Sequence, residues 1–280
     1  MENCSIIMKR LTHLINGYNY RINGAQIEPI KVLKMIKLTT NQKEQSKIES
    51  CIKKCQNRTT RSLNGDFEYH HLAISRSNKF LRMHDSEKMK MFILFVDLGG
   101  STKMSSELSP DALAKIIRLF SQEMAYVIES YDGFVLKYVG DAVIGYFPER
   151  KALATAKNAV FCAKAMVSVI ENAINPILQK AGYQSLQIKI TMDFGGNNIV
   201  RYGSDMQKSH IDIIGLSVNL AAKMQSLGKP NQLIIGNQVF LKLSPQLKTC
   251  FKKIKVSSKV WPYHDLVSKS PYPLFLTGLS

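Results

Sequence analysis

Two aspartates 44 residues apart, Asp97 and Asp141, sit in settings that suit a cation. Asp97 closes the apolar run Met91–Val96 and leads into Leu98-Gly99-Gly100-Ser101-Thr102, while Asp141 lies in Gly140-Asp141, between two strand-like runs. Two carboxylates beside a glycine-bearing loop fit a divalent ion held together with substrate phosphates, since hard cations take oxygen ligands. Either aspartate alone is unremarkable, because Asp is common in turns. In Gly99, Gly100, Ser101 and Thr102 the backbone N–H groups can approach a phosphate. Other clusters carry less chemistry. Neither Cys51-x3-Cys55 nor His70-His71 has a second pair at metal-ligand spacing.

The elements that must position these groups read from Met91 onward. Met91–Val96 is a buried strand. Ser109 is expected to cap a helix whose first residue is Pro110 and which ends at Asp132-Gly133. Phe134–Val139 and Ala142–Phe147 form a hairpin across Gly140-Asp141. A long helix over 151–180 follows, then the alternating strand Leu186–Phe194. Gly195-Gly196-Asn197-Asn198 reads as a turn into another short strand, and Ser217 as the cap of a helix ending at Gly228-Lys229-Pro230. Strands are expected at Gln232–Ile235 and, at the sheet edge, Tyr272–Leu276. Strand, helix, hairpin, helix, strand is the βαββαβ order of an α+β, ferredoxin-like sandwich with helices on one face, which puts the first strand beside the hairpin.

Residues 1–89 read differently from 90–280. Apolar positions at helical spacing (Ile6, Ile7, Leu11, Leu14, Ile15; Ile30, Val32, Leu33, Ile36) and a lysine-rich stretch to Arg61 predict a small, mostly helical region that dimerises or regulates. Ser62-Leu63-Asn64-Gly65-Asp66 is a turn. The chain has 280 residues, a net charge of +17 and five cysteines. An odd, sparse cysteine set makes no disulfide framework. No secretory leader is expected at the N-terminus and no apolar run reads as a membrane span, so the expectation is a cytoplasmic protein. Asn57-Arg58-Thr59 is then an idle glycosylation pattern. The dispersed lysines favour a solvated cationic surface over a nucleic-acid site, and Trp261-Pro262-Tyr263-His264 reads as aromatic packing, not a base-stacking platform.

The stretch Phe92-Ile93-Leu94-Phe95-Val96-Asp97-Leu98-Gly99-Gly100-Ser101-Thr102 resembles the first metal-binding segment of class III adenylyl and guanylyl cyclases. Gly133-Phe134-Val135-Leu136-Lys137-Tyr138-Val139-Gly140-Asp141-Ala142 resembles their second, and Ile211–Met224 their third. Together these cover roughly residues 90–240. The resemblance implies that Asp97 and Asp141 hold two Mg²⁺ or Mn²⁺ ions, which lower the pKa of the ribose 3′-hydroxyl and stabilise the pyrophosphate leaving group. Lys137 and Asp212 fall where the family reads the base. A carboxylate accepting from N6 and an ammonium donating to N1 suit adenine; guanine and uracil would present a carbonyl to Asp212. Asn219 would orient the ribose. Lys223 stands where the family places an arginine on the α-phosphate, and lysine lacks the planar fork. Lys252, Lys253 and Lys259 are candidates for a further family lysine on the terminal phosphates.

The resemblance also implies a head-to-tail homodimer, with metal residues from one protomer and Lys137, Asp212, Asn219 and Lys223 from its partner. The expected reaction is ATP to 3′,5′-cyclic AMP and pyrophosphate. A pyrimidine cyclase is the alternative, because cytosine repeats adenine's donor–acceptor pattern; a catalytically silent nucleotide-binding module is a second. A diguanylate cyclase is disfavoured, since the hairpin reads Gly-Asp-Ala-Val and not Gly-Gly-Asp/Glu-Glu-Phe.

Overall fold

The structure, a computed structural model, describes residues 21–22, 25–26, 42–66, 72–265 and 268–279. The chain divides into two compact units, Met1–Gln45 and Ser46–Ser280. In the first, the short strands β1 (Arg21–Ile22) and β2 (Ala25–Gln26) pair antiparallel. The helices expected over Ile6–Ile15 and Ile30–Ile36 lie outside the described residues, as do Cys4 and His70-His71.

Two helices, α1 (Gln42–Leu63) and α2 (Leu72–Met83), precede the sheet, so the composition change near residue 90 falls inside the second unit. The turn after α1 is as expected, with Gly65 at φ 93°. Arg58 of α1 makes a two-pronged ion pair with Glu123 at 2.7 and 2.6 Å, and Glu123 is fully buried. Ser77 of α2 is buried 3.1 Å from the Tyr146 hydroxyl, and Phe80 stacks on Phe134.

The core is β3 (Lys88–Gly99), α3 (Ser101–Glu107), α4 (Pro110–Ser130), β4 (Phe134–Val139), β5 (Ala142–Pro148), α5 (Ala152–Val169), α6 (Asn175–Lys180) and β6 (Gln187–Tyr202). Its strands lie in the order β4-β5-β3-β6, all antiparallel, which is the ferredoxin-like arrangement. Ser109 caps α4 as expected, its hydroxyl accepting from the Ala112 N–H. A π turn (Ile170–Ile174) joins α5 to α6 just before Pro176, which has no N–H to continue the helical ladder. The continuous helix Ala152–Lys180 is long and apolar enough to cross a bilayer, but most of its apolar stretch is buried within the protein. That burial makes it the central core helix of the sandwich.

β3 is buried on both faces. Phe92, Leu94 and Val96 point one way; Ile93 points the other, into a cluster with Leu81, Ile144, Ile213, Leu220 and Met224. Ile128 of α4 comes so close to the hairpin that a Cβ at Gly133 or Gly145 would lie 2.8 or 2.9 Å from it, so those two glycines let the helix seat. The second face is covered by α2 and by α7 (Leu216–Met224). Helices therefore cover both faces, where the βαββαβ pattern alone predicted one.

Three further expectations are corrected. Gly195-Gly196-Asn197-Asn198 is not a turn: β6 runs through it, and β7 (His210–Ile214) folds back on its far half. The turn-type residues there serve close packing under α7. Ser217 does not cap α7, whose N-cap is Gly215. Its hydroxyl points down and donates to Asn197 Oδ1 at 2.7 Å, and a Cβ on Gly215 would lie 2.1 Å from that oxygen. Finally, after β8 (Gln232–Gly236), α8 (Asn237–Lys242) and α9 (Pro245–Lys248), the strand β10 (Leu274–Gly278) is interior, between β8 and β9 (Lys252–Ile254). β9 is the edge. Trp261 is buried and donates to the Tyr272 carbonyl, the packing role expected for it.

Candidate active site

Register brings the two aspartates together. Asp97 pairs with Ala142 across β3 and β5, which makes it a neighbour of Asp141 in the turn. The strand continues two residues past Asp97 to Gly99, so the carboxylate is held by a ladder on both sides. Gly140, at φ 60°, supplies the left-handed backbone the turn requires. Burial and the charge of Asp141 raise the Asp97 pKa. Asp141 Oδ2 is buried without a hydrogen-bond partner among the described residues. A buried acceptor left unmet, beside a second carboxylate, fits a divalent cation. Among the described residues no group of three or more His, Cys, Asp or Glu is placed to hold a metal ion, and Asp97 and Asp141 make a set of two. Such a partial set suits Mg²⁺ or Mn²⁺ bound with phosphate and water.

The loop after Asp97 is tight. Gly100 sits at φ 78° and caps α3, with Ser101 half-buried and Thr102 exposed at the first turn. A Cβ on Gly99 would meet the Gln187 carbonyl oxygen at 3.2 Å.

Lys137 and Asp212, 75 residues apart, also meet. Lys137 follows a bulge in β4 and its Nζ donates to Asp212 Oδ2 on β7; Asp212 Oδ1 accepts the Ile213 N–H at 2.9 Å. Asp212 is the more enclosed, 15% exposed against 37% for Lys137. Asn219 and Lys223 lie one turn apart on the exposed side of α7, whose underside (Ser217, Leu220, Ala221, Met224) is buried. No hydrogen bond joins the Asp97–Asp141 pair to the Lys137–Asp212 pair among the described residues. Lys252, Lys253 and Lys259 are exposed on and beyond the edge strand.

One site residue was not singled out beforehand. Lys189 pairs with Asp97 across β3 and β6, and its Nζ is 3.6 Å from Asp97 Oδ2. The available signal was the polar face of the alternating strand, on which Lys189 lies, but which strand it pairs with is not written in its own sequence. Large apolar side chains bracket the polar pairs: Tyr138 and Val139 between Lys137 and Asp141, Ile214 and Leu216 between Asp212 and Asn219, all at least 40% exposed.

Two carboxylates thus lie together at one strand end of a ferredoxin-like α+β sheet, and a Lys–Asp pair lies on strands beside α7. The profile of the adenylate and guanylate cyclase catalytic domain matches residues 83–262, and the chain belongs to that family. It is 27% identical over 168 residues to a cytidylate cyclase of Staphylococcus aureus, covering 58% of this chain and 39% of that protein. It is 26% identical to a uridylate cyclase of Rhodovulum sp. (strain MB263), over 61% of this chain and 72% of the relative. An adenylate cyclase of Anabaena cylindrica is 27% identical, over 61% of this chain and 35% of the relative. The chain thus spans little more than a third of the length of two of these relatives. The structure of the guanylyl cyclase Cya2 superposes with a TM-score of 0.57 at 20% identity, covering 70% of this chain and 95% of Cya2, and so shares the fold.

Proposed function

We propose that the chain is a nucleotidyl cyclase that takes a base whose Watson–Crick edge sets an amino donor beside an unprotonated ring nitrogen, ATP foremost, in a site shared by two copies. The Lys137–Asp212 pair carries this reading. Its carboxylate accepts from adenine N6 and its ammonium donates to N1. GTP and UTP would set a carbonyl against Asp212, and a buried unmet acceptor costs about 1–3 kcal/mol, roughly five- to a hundred-and-fiftyfold in selectivity. CTP is the second reading, supported by the resemblance to a cytidylate cyclase, because cytosine N4 and N3 offer the same pattern.

Asp97 and Asp141 would hold two Mg²⁺ or Mn²⁺ ions, which supply positive charge at the phosphates. The backbone of Gly99–Thr102 would approach the same phosphates. Asn219 would orient the ribose so that its 3′-oxygen bonds to the α-phosphorus as the bond to pyrophosphate breaks. Lys223 places its charge at that phosphorus, without the two-point grip of a guanidinium. The exposed Tyr138, Val139, Ile214 and Leu216 support a homodimer interface at the site. Residues 1–89 are assigned to dimerisation or regulation. Free cysteines among the described residues support a reducing, cytoplasmic setting.

The test is a parallel turnover assay of the dimer with ATP, GTP, CTP and UTP in Mg²⁺ and in Mn²⁺. Cyclic AMP, with selectivity lost in Asp212→Ala, is the expected result; cyclic CMP would select the second reading. No product from a folded dimer would refute catalysis and leave a nucleotide-binding module.

A further inference from the structure

A cavity of about 490 Å³ lies between α2 and the loop joining β6 to β7. Asn78, Lys79 and Arg82 project from one face of α2, and Arg201 and Gln207 close the far side. Among the described residues Asp85 is the only carboxylate lining it, and Asp85 Oδ2 is taken by Arg201 Nε at 2.7 Å. Asp205, on the same loop, has its Oδ1 turned to the N–H groups of Gln207 and Lys208 at 2.8 and 2.9 Å. Arg82 donates to two neutral acceptors, the carbonyls of Met206 and Ser209, each at 2.7 Å. Lys79 has no partner among the described residues. Lys79 and Arg82 thus face the cavity without a salt bridge among the described residues, although the charge of Asp205 lies near enough to Arg82 to be felt, while Met83 and Met206, each 68% exposed, stand at its rim.

We propose that this cavity is a second ligand site, for a nucleoside 5′-monophosphate, separate from the cyclase centre and linked to it through Arg82. A phosphate dianion matches Lys79 and the free N–H positions of Arg82, whose fork suits phosphate oxygens. The polarizable thioethers of Met83 and Met206 cover a flat ring, and the volume falls in the range of small-molecule sites. The link is structural. Arg82 holds the loop at Met206 and Ser209, and Ser209 leads into β7, which carries Asp212. A ligand that redirects the Arg82 guanidinium shifts the strand that positions the base-reading carboxylate. The binding claim stands apart from the cyclase reading; only the link rests on it.

The experiment is calorimetric titration of the full chain carrying Asp97→Asn and Asp212→Asn, which disables the proposed cyclase centre, with AMP and CMP as probes and inorganic phosphate and adenosine as controls. The expected result is binding that survives in this background and weakens at least tenfold on adding Lys79→Glu, an exposed change that leaves the packing untouched. Phosphate and adenosine should each bind at least tenfold more weakly than AMP. Loss of binding in the double variant would place the nucleotide in the cyclase centre and overturn the second site. Indifference to Lys79→Glu, or phosphate binding as tightly as AMP (an adventitious anion only), would overturn it equally. For the link, AMP should slow amide exchange across 210–214 in the Asp97→Asn/Asp212→Asn chain, and not once Lys79→Glu is added; unchanged exchange at saturation refutes it.

Discussion

Asp193 should make this protein lose stability as pH rises from about 4 to about 7. The side chain sits on β6 at 1% exposure; Tyr272 OH donates to Oδ1 at 2.8 Å. No ion pair offsets its charge among the described residues, and burial pushes its pKa from 3.8 to about 7 despite the Tyr272 and Phe194 hydrogen bonds. The folded state thus holds the proton more tightly than the unfolded chain. The stability this contributes is complete below about pH 4 and is lost as pH climbs to about 7, at about 1.4 kcal/mol per unit. The accumulated loss is about 4 kcal/mol, an upper figure because a charged Asp193 would draw in water. Asp193→Asn keeps the shape and the acceptor for Tyr272 but cannot ionise. Its amide N–H₂ gains no evident partner, a constant cost of about 1–3 kcal/mol, so absolute stability is a poor readout and the pH slope is the diagnostic one. Urea midpoints of both proteins from pH 5 to 9 should converge or cross, with the aspartate protein falling relative to the variant up to about pH 7 and running parallel above it. Parallel curves over the whole range would refute the reasoning, since they would mean that Asp193 is charged throughout.

Mixing inactive Asp97→Ala with inactive Asn219→Ala should restore one complete site per heterodimer; no recovery with heterodimers shown by mass spectrometry sinks the shared site. Lys223→Arg should raise turnover severalfold by restoring a two-point hold on the α-phosphate, and an unchanged kcat would remove Lys223 from the reaction. Gly215→Ala drives a methyl against Asn197 Oδ1 and should cost about 1–3 kcal/mol in chemical denaturation, relieved in part by Asn197→Ala. Arg58→Met strands the buried Glu123 carboxylate and should cost about 3–5 kcal/mol, with Arg58→Met/Glu123→Leu recovering most of it.

Local signals in the chain proved reliable where the structure they specify is itself local. Ser109-Pro110 caps a helix through a bond spanning three residues, and Gly140-Asp141 turns a hairpin whose strands are sequence neighbours. Both could be read in isolation. Gly195–Asn198 and Ser217 carry the same vocabulary but answer to each other across about 20 residues: the glycines and Asn197 admit α7, and Ser217 reaches down to meet them. Nothing in either segment alone distinguishes that from a turn and a cap. The sequence reads β10 as an edge strand because its partner β9, three residues carrying two lysines, leaves almost no periodic trace. In the candidate site, Asp97, Asp141, Lys137 and Asp212 were legible through motif resemblance, and the structure brings each pair together. Lys189 and the Arg82 cavity were not, since both depend on which strand or loop lies opposite.

The lysine-bearing edge also bears on how the molecule behaves in crowded solution. A sheet invites neighbours wherever it presents a row of unmet backbone groups, and β9 presents only a short row, with Lys252 and Lys253 exposed on it. A second chain approaching that margin meets like charge and too few acceptors to hold a ladder. Fibre-like growth of the sheet is therefore disfavoured at that margin.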